Sequence, residues 1–548
     1  MTRLFQELLS LRGLSESFLN PKYEELFDPF LMPDVDKAVK RILKAGKNSE
    51  KVIIYGDYDV DGVTASIVMR ELLESAGCKV VETLLPDRFK DGYGMNARTI
   101  PRIKDSGVTL LVTVDCGSAN ADIVEELTAD GIDVIVTDHH EVTDENCNKL
   151  IKNAIFINPK RSDCEHGKRL AGVGVAFMLA KAINASLNNG VCNGQEKWLL
   201  DLVALGTICD SMELLEENRI LVYYGMKVLQ KTRRKGLLAL MNVSGVECNK
   251  ISTHAIGFQL GPRLNAGGRL KTANLSLQLL ESNSMAEAIG IATKLNELNL
   301  QRRRIQDQAL RDISEKVDEK TPIIFTKGEW HEGVIGIIAG RLMEEFKKPA
   351  IVMTHVKNDD DGDGFNDDLL KMSGRSFGDF SLAKGLDYCR DLLLKGGGHA
   401  AACGATIASK NYDTFVTKLI EYYKKLDLKD QERFLRKRAD LELKNLGGIN
   451  EELADEIKML EPFGEGNEEP VFKVKVEIFS KRILKDKHVA LNIRDGQGRF
   501  FKMMAFFADD NLKKLQELDE VELTFTIMSN EFRGERKIEG RILECNFI

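Results

Sequence analysis

Four short apolar runs constrain the fold most: VIIY (52–55), LLVTV (110–114), VIVT (134–137) and AIFI (154–157). Each is continuously apolar rather than alternating, as expected of strands buried on both faces. Between them, VTASIVMRELLESAG and ANADIVEELTADG carry helical periodicity and end in glycine. Strand, helix and strand in this rhythm predict a doubly wound, mainly parallel α/β sheet.

With 548 residues the chain exceeds what one hydrophobic core supports, so several domains are expected. No proline interrupts the stretch from about 281 to 318, which includes LNELNLQRRRIQDQALRDI and reads as one long polar-faced helix. PIIFT (322–326), GVIGIIAGRLMEEF and PAIVMT (349–354) then form a second α/β pattern. From about 440, VFKVKVEIF, HVALNIRDGQGRF, VELTFTIM and KIEGRILECNF alternate with turn residues, the pattern of a small antiparallel barrel. The predicted organisation is an N-terminal helical segment (1–45), an α/β domain (46–225), a helical linker region with the long connecting helix (226–318), a second α/β domain (319–428) and the barrel (429–548).

The net charge of −8 excludes a broad polycation, so nucleic-acid binding would need local basic patches or a cleft neutralised by metal. The ten cysteines are scattered with no CxxC pair, which predicts reduced thiols and a cytoplasmic setting rather than a zinc ribbon. Glu7 and Arg12 interrupt any signal-peptide core, and no run is long enough to span a bilayer, so no membrane partner is expected.

The chemistry concentrates at strand ends. YGDYDVDGVTAS sets Asp57, Asp59 and Asp61 directly after a buried strand; LLVTV runs into Asp115; VIVT runs into Asp138, His139 and His140. A lone Asp after a strand is usually a helix N-cap. Three acidic or histidine-bearing ends on neighbouring strands instead line the crevice where open α/β sheets bind ligands. Carboxylates crowded there raise one another's pKa and need a cation to neutralise them. A mixed oxygen and nitrogen donor set suits two divalent metal ions, Mn²⁺ or Mg²⁺, which together serve phosphoryl chemistry. An EF-hand reading of DxDxDG fails, because its twelfth position is Val68. The acidic run NDDDGDGFNDD (358–368) fails similarly at Leu370 and reads as a solvated loop.

GDYDVDG, VDCGS, TDHH and ALGTICD resemble the phosphoesterase motifs of the DHH superfamily. The resemblance implies metal ligands at Asp59, Asp61, Asp115, His139 and Asp210. It implies His140 beside the scissile phosphate, with Asp57 and Asp138 in support. Asp210 has no periodic signal and comes only from the motif match. LFDPFLMPDVDKAVKRI, PDRFKDGYG, LAGVGVAF, GFQLGPRLNAGGRL, WHEGVIGIIAGRL, SGRS, GGGHAAACG and EPFGEGNEEP resemble, in order, the RecJ family of single-strand-specific 5′-to-3′ DNA exonucleases. That family's architecture implies a DHH domain, a DHHA1 domain and a C-terminal OB-fold. It implies single-stranded DNA as substrate, with single-strand-binding protein and a RecQ-type helicase as partners in repair and recombination.

By the same resemblance, Arg88, Ser373 and Arg375 hold a 5′-terminal phosphate, a task suited to arginine. Arg263, Asn265 and Arg269 either contact substrate backbone or sit in a Gly-rich turn that packs two domains. His399, in GGGH, either faces substrate or is a structural histidine at a domain junction. GVGVAF is no dinucleotide fingerprint, since Phe177 takes the place of the third glycine. Lys481, Arg482, Lys485, Lys487, Arg494, Arg499 and Lys502, with Phe501, Phe506 and Phe532, are available for a single-strand groove. KTRRK (231–235) is either a second phosphate track or a solvated helix end. SMELLEENR after ALGTICD departs from the apolar run usual in RecJ proteins. Two other readings remain: a nano-RNase or small-nucleotide phosphodiesterase of the DHH superfamily, or a catalytically inactive single-strand-binding scaffold.

Overall fold

The computed structural model describes residues 1–187, 194–314, 316–357, 365–428, 431–435, 438–508, 510–532 and 535–548. Helix α1 (Arg3–Arg12) and, after an irregular stretch, α2 (Val35–Lys47) precede the first sheet. That sheet comprises β1 (Lys51–Tyr55), β2 (Lys79–Leu84), β3 (Leu110–Val114), β4 (Asp133–Thr137) and β5 (Ile155–Ile157). Its order is β2-β1-β3-β4-β5 with every pairing parallel, so the winding reverses between β1 and β3. Val52 and Ile54 face one core with α2, α3 (Val60–Ser75) and α4 (Gly172–Leu187), whereas Ile53 and Tyr55 face the other. Burial on both sides explains why these strands read as unbroken apolar runs. Helix α5 (Leu200–Cys209) packs beside α3 and α4 and ends at Asp210.

The PRLNAGGR segment is helix rather than turn. It lies in α6 (Gly261–Leu270), after a π-helical turn over Ile256–Leu260, with Pro262 in the first turn where a missing N–H costs little. The glycines serve close packing there: a Cβ on Gly268 would approach the Tyr58 carbonyl oxygen to 3.1 Å. The connecting helix α7 (Met285–Ser314) begins later than 281, because Ser284 accepts from Glu287 N and closes the helix start. Its 30 residues span about 45 Å. One stripe, Ala288, Ala292, Leu295, Asn299, Arg302, Gln306, Ala309 and Ile313, is buried along its length. The first three pack in the core of the first domain and the last two in that of the second. The polar middle three cross the gap between domains, with Arg302 donating to Asn299 and Gln306.

The second sheet holds β6 (Ile324–Gly328), β7 (Ala350–Lys357), β8 (Phe365–Arg375), β9 (Leu393–Gly398) and β10 (Ala402–Ala408) in the order β6-β7-β8-β10-β9. Only β6 and β7 pair in parallel, so this sheet is mixed. Helix α8 (Glu332–Phe346) covers β7 and β8 on one face. The acidic run lies outside the described residues at 358–364.

The C-terminal strands are β11 (Leu441–Leu443), β12 (Phe472–Leu484), β13 (His488–Arg494), β14 (Phe500–Ala505), β15 (Glu520–Phe532) and β16 (Glu535–Phe547). Pairing of β12 with β15 closes a five-stranded barrel and removes its open edges. The N-terminal segment is divided between domains. Phe5 and Leu8 of α1 are fully buried in the barrel's core, while α2 belongs to the first domain. Arg12 fixes that docking by donating twice to Asp440, at 2.7 and 2.8 Å. Every described cysteine is free, and no helix among the described residues is long and apolar enough to cross a membrane.

Candidate metal centre and substrate cleft

The carboxyl ends of β1, β3 and β4 meet where the strand order reverses, the place at which open parallel sheets bind ligands. Asp59 caps α3, its Oδ1 accepting from Gly62 N at 3.1 Å, and Asp61 lies in the first turn. Asp115 follows β3 with φ of 59°, a left-handed conformation that turns the chain sharply. Asp138, His139 and His140 follow β4, and Asp210 arrives at the end of α5.

These side chains form three overlapping groups: Asp57, Asp59 and Asp115; Asp61, His139 and Asp210; and Asp115, His139 and His140. Within each, one donor atom per residue lies within 4.8 Å of the others. His139 Nε2 is 3.1 Å from Asp115 Oδ1, 3.6 Å from Asp210 Oδ2 and 3.7 Å from Asp61 Oδ2. Asp57 Oδ1, Asp115 Oδ1 and His139 Nε2 are buried without a hydrogen-bond partner. Such orphaned atoms are costly unless something else satisfies them. A hard, charge-rich donor set with one imidazole fits a pair of divalent cations.

The electrostatics agree. Burial, then the charge of Asp59, pushes Asp61 up to about 7. Burial, then Asp61 and Asp59, pushes Asp210 up to about 9. Asp57 and Asp115 are also raised by burial and neighbouring carboxylates. Burial and the charge of His140 bring His139 down to about 4, so its imidazole is neutral and able to ligate rather than to form an ion pair.

Asp138 behaves oppositely. Burial alone would raise it, but the hydrogen bond and charge of His140 hold it well below the usual carboxylate range. It accepts from Ser118 N at 2.9 Å, His139 N at 2.7 Å and His140 Nδ1 at 2.8 Å. His140 is correspondingly raised to about 9: burial alone would lower it, but the Asp138 hydrogen bond and the charges of Asp138, Asp210 and Asp61 together outweigh burial and keep the ring protonated.

Several supporting groups escape the sequence reading. Gly172 N and Val173 N, at the start of α4, donate to Asp61 at 2.6 and 2.8 Å. A Cβ on Gly172 would stand 2.6 Å from Asp115 Oδ1. The Tyr93 hydroxyl lies 2.8 Å from His140 Nδ1 and donates to the Asp115 carbonyl at 3.2 Å. Asn158 donates to Ser118 Oγ and to the His140 carbonyl. The signal for Gly172 was present in LAGVGVAF, although no cofactor fingerprint could explain it.

Across the cleft stands a group of arginines. Arg269 is brought down to about 9 by burial and then by Arg88 and Arg302, and Arg375 adds to that repulsion. None of these four has an ion-pair partner among the described residues, so the cleft is prepared for an anion. Arg88 lies over the Tyr58 ring, 5.1 Å from its centroid, and Arg375 donates to Ser373 Oγ at 3.2 Å. Asn265, Arg269 and Arg302 line a cavity of about 470 Å³ that reaches Cys209, next to Asp210. Arg263 is not among the residues lining that cavity and donates to Asn296 Oδ1 and the Gln259 carbonyl. His399 is exposed between β9 and β10 and joins neither group.

In the barrel, four of the seven expected cations are engaged internally. Lys481 donates to the carbonyls of Lys513 and Leu515, and Arg499 to Asn445; Arg494 pairs with Glu477 and Lys502 with Glu539. Arg482, Lys485 and Lys487 remain, around the β12–β13 turn. Phe501 is half-buried against the core and Phe506 is exposed, while the side chain of Phe532 lies outside the described residues. Phe479 and Phe500, exposed and edge to face at 4.8 Å, were not anticipated. KTRRK is structural: Thr232 and Arg234 bond to Asp201, and Arg233 covers Trp198.

Three family models match the chain: the DHH family N-terminal domain over 51–207, the DHHA1 domain over 320–425 and the RecJ OB domain over 439–544. A Dickeya dadantii protein named Single-stranded-DNA-specific exonuclease RecJ is 33% identical, covering 98% of this chain and 94% of that protein. Its Bacillus subtilis namesake is 36% identical over 90% of this chain, which spans 62% of that longer relative. The crystal structure of RecJ in complex with Mn²⁺ from Thermus thermophilus matches with a TM-score of 0.84 at 26% identity, covering 100% of this chain and 76% of that one.

Proposed function

The chain belongs to the RecJ family of single-stranded-DNA-specific exonucleases, and from that premise we propose that it hydrolyses single-stranded DNA from the 5′ end to mononucleotides. One observation carries the reading: orphaned buried metal-type donors face unpaired arginines across one cleft. Asp59, Asp61, Asp115, His139 and Asp210 would hold two divalent cations, Mn²⁺ or Mg²⁺, with Asp57 beside them. When bound, such cations activate a water and offset charge on the leaving oxygen.

The chain's own residues do the rest. Gly172 and Val173 fix the Asp61 carboxylate through backbone N–H groups, and Asp138 fixes the protonated ring of His140. His140 Nε2 makes no hydrogen bond among the described residues and serves as a charged donor to the scissile phosphate. Arg88, Ser373 and Arg375 take the 5′-phosphate, which places the first internucleotide phosphate at the carboxylates and sets polarity. Asn265 and Arg269 carry the backbone between the two. The family supports a cytoplasmic role in repair and recombination, with single-strand-binding protein and a RecQ-type helicase as partners.

The test incubates the protein with Mn²⁺ and single-stranded DNA, duplex DNA or an RNA dinucleotide, and repeats the first arm with Arg88→Ala. Mononucleotides should appear only from single-stranded DNA, and the variant should lose preference for a 5′-phosphate over a 5′-hydroxyl. Preference for the dinucleotide would favour the small-nucleotide phosphodiesterase, and no cleavage at all a binding scaffold.

A further inference from the structure

The row of side chains that carries the proposed 5′-phosphate site continues along β8. Lys371, Ser373 and Arg375 alternate along β8 with Leu370 and Met372, which belong to the core on the opposite face, so the three form one row. A Cβ on Gly336 of α8 would touch both Ser373 Oγ and Arg375 Nη2 at 3.1 Å, which places the row beneath that helix. Lys371 lies one strand repeat beyond Ser373, about 7 Å on.

There a cavity of about 590 Å³ opens between the 87–90 loop, the end of α6 and the second sheet. Lys90, Lys271, Lys371 and Lys395 line it, against the carboxylates of Asp87 and Glu332. Both acids are already engaged. Glu332 pairs with Lys371 at 2.5 Å, and Asp87 accepts from Phe89 N at 2.8 Å and Lys90 N at 3.1 Å. Lys90, Lys271 and Lys395 have no ion-pair partner among the described residues. Phe89 and His331, edge to face at 5.4 Å, also line the cavity. A site for a monophosphate alone has no use for surplus cations past its phosphate.

We propose that the chain accepts single strands bearing a 5′-triphosphate, with the α-phosphate at Arg88, Ser373 and Arg375 and the β- and γ-phosphates in the lysine cavity. This rests on the reading of those three residues as the 5′-phosphate site. In the first turnover a water oxygen bonds to the phosphorus of the first internucleotide linkage. The bond from that phosphorus to the 3′-oxygen of the first residue breaks, and the 3′-oxygen takes up a proton. The products are a deoxynucleoside 5′-triphosphate and a strand one residue shorter with an ordinary 5′-monophosphate.

The experiment compares one DNA sequence with a 5′-hydroxyl, 5′-monophosphate or 5′-triphosphate end, labelled in the first residue, with Mn²⁺-loaded protein. Chromatography identifies the first product. The monophosphate end should be cut faster than the hydroxyl end, and the triphosphate end at a rate close to the monophosphate, releasing labelled nucleoside triphosphate. The double variant K90A/K395A should slow the triphosphate arm by about tenfold or more and leave the monophosphate arm unchanged. A triphosphate strand cut no faster than the hydroxyl strand would overturn the proposal. So would a first product of monophosphate plus pyrophosphate, or equal slowing of both arms by the variant. If the monophosphate has no advantage over the hydroxyl, the 5′-phosphate site itself is misread and the extension falls with it.

Discussion

Gly172→Ala isolates the metal cluster from the fold. Gly172 opens α4 with ordinary helical backbone, so an alanine there meets no φ penalty. Its methyl group, however, would lie 2.6 Å from both Cβ and Oδ1 of Asp115, against an ordinary contact of at least 3.4 Å. Asp115 cannot yield by rotating alone, because its Cβ is one of the atoms met. Its backbone is held by Thr137 O accepting from Asp115 N at 3.0 Å and by the Tyr93 hydroxyl. Restoring contact distance requires a shift of about 0.8 Å between Asp115 and α4. Overpacking of this kind costs about 1–3 kcal/mol, and alanine's helix preference returns up to about 1 kcal/mol. The fold should therefore survive. A misplacement near 1 Å in a catalytic group costs about 100-fold, or roughly 2.7 kcal/mol of barrier. The assay is single-turnover mononucleotide release over a Mn²⁺ titration, alongside thermal denaturation. Gly174→Ala is the control, since its Cβ would meet only the side chain of Leu170, nearest at Cδ2 at 3.1 Å, and none of the metal-site residues, so activity should stay near wild type. Full activity and unchanged Mn²⁺ dependence in Gly172→Ala would refute the reasoning, as would equal losses in the two variants.

Asp115→Ala should abolish turnover yet leave the metal-free protein at least as stable, because it removes one of several mutually repelling buried carboxylates; circular dichroism melts and activity together check it. The metal-free protein should lose stability as pH rises. Asp61 and Asp210 are raised to about 7 and about 9, so their neutral forms favour the fold below the ordinary carboxyl pKa near 4 and that stability is lost as pH climbs through those values. Mn²⁺ binds the ionised forms, so the gain in Tm on adding it should grow from pH 5 to pH 9; a gain independent of pH would count against the ligand assignment. Phe5→Ala should destabilise the barrel by about 3–5 kcal/mol, seen as faster proteolysis beyond residue 440, with the first domain's metal response unchanged.

The first sheet and most of its site were readable because both depend on local pattern. Asp57, Asp59, Asp61, Asp115, Asp138 and His139 each end or follow a strand whose apolar run announces it, and parallel strands must bring those ends together. Asp210 was readable only by motif, since it caps a helix buried on all sides and has no periodicity of its own. Gly172 and Val173 act on Asp61 over more than a hundred residues, and their donors are backbone N–H groups that no side-chain pattern reports. PRLNAGGR misled because glycine suggests a turn, whereas here it lets a helix approach the Tyr58 backbone. In the barrel, charge along a strand could not say which lysines and arginines would be taken up by Glu477, Glu539 and backbone carbonyls.

The docking of α1 into the barrel carries a consequence in time. The partners of Thr2 and Arg12, Glu456 and Asp440, are made more than four hundred residues later. At roughly 5–20 residues per second, synthesis of that interval takes on the order of 20–90 s. Throughout, Phe5 and Leu8 have no core to enter, while the first sheet can already fold around its own strands. The nascent chain therefore carries in α1 an uncovered apolar face that stays an aggregation hazard, or a chaperone's handle, until the barrel emerges. Once closed, that contact ties the barrel back to the first domain through the segment between α1 and α2, so the three domains are joined as links in a loop rather than as beads on a string.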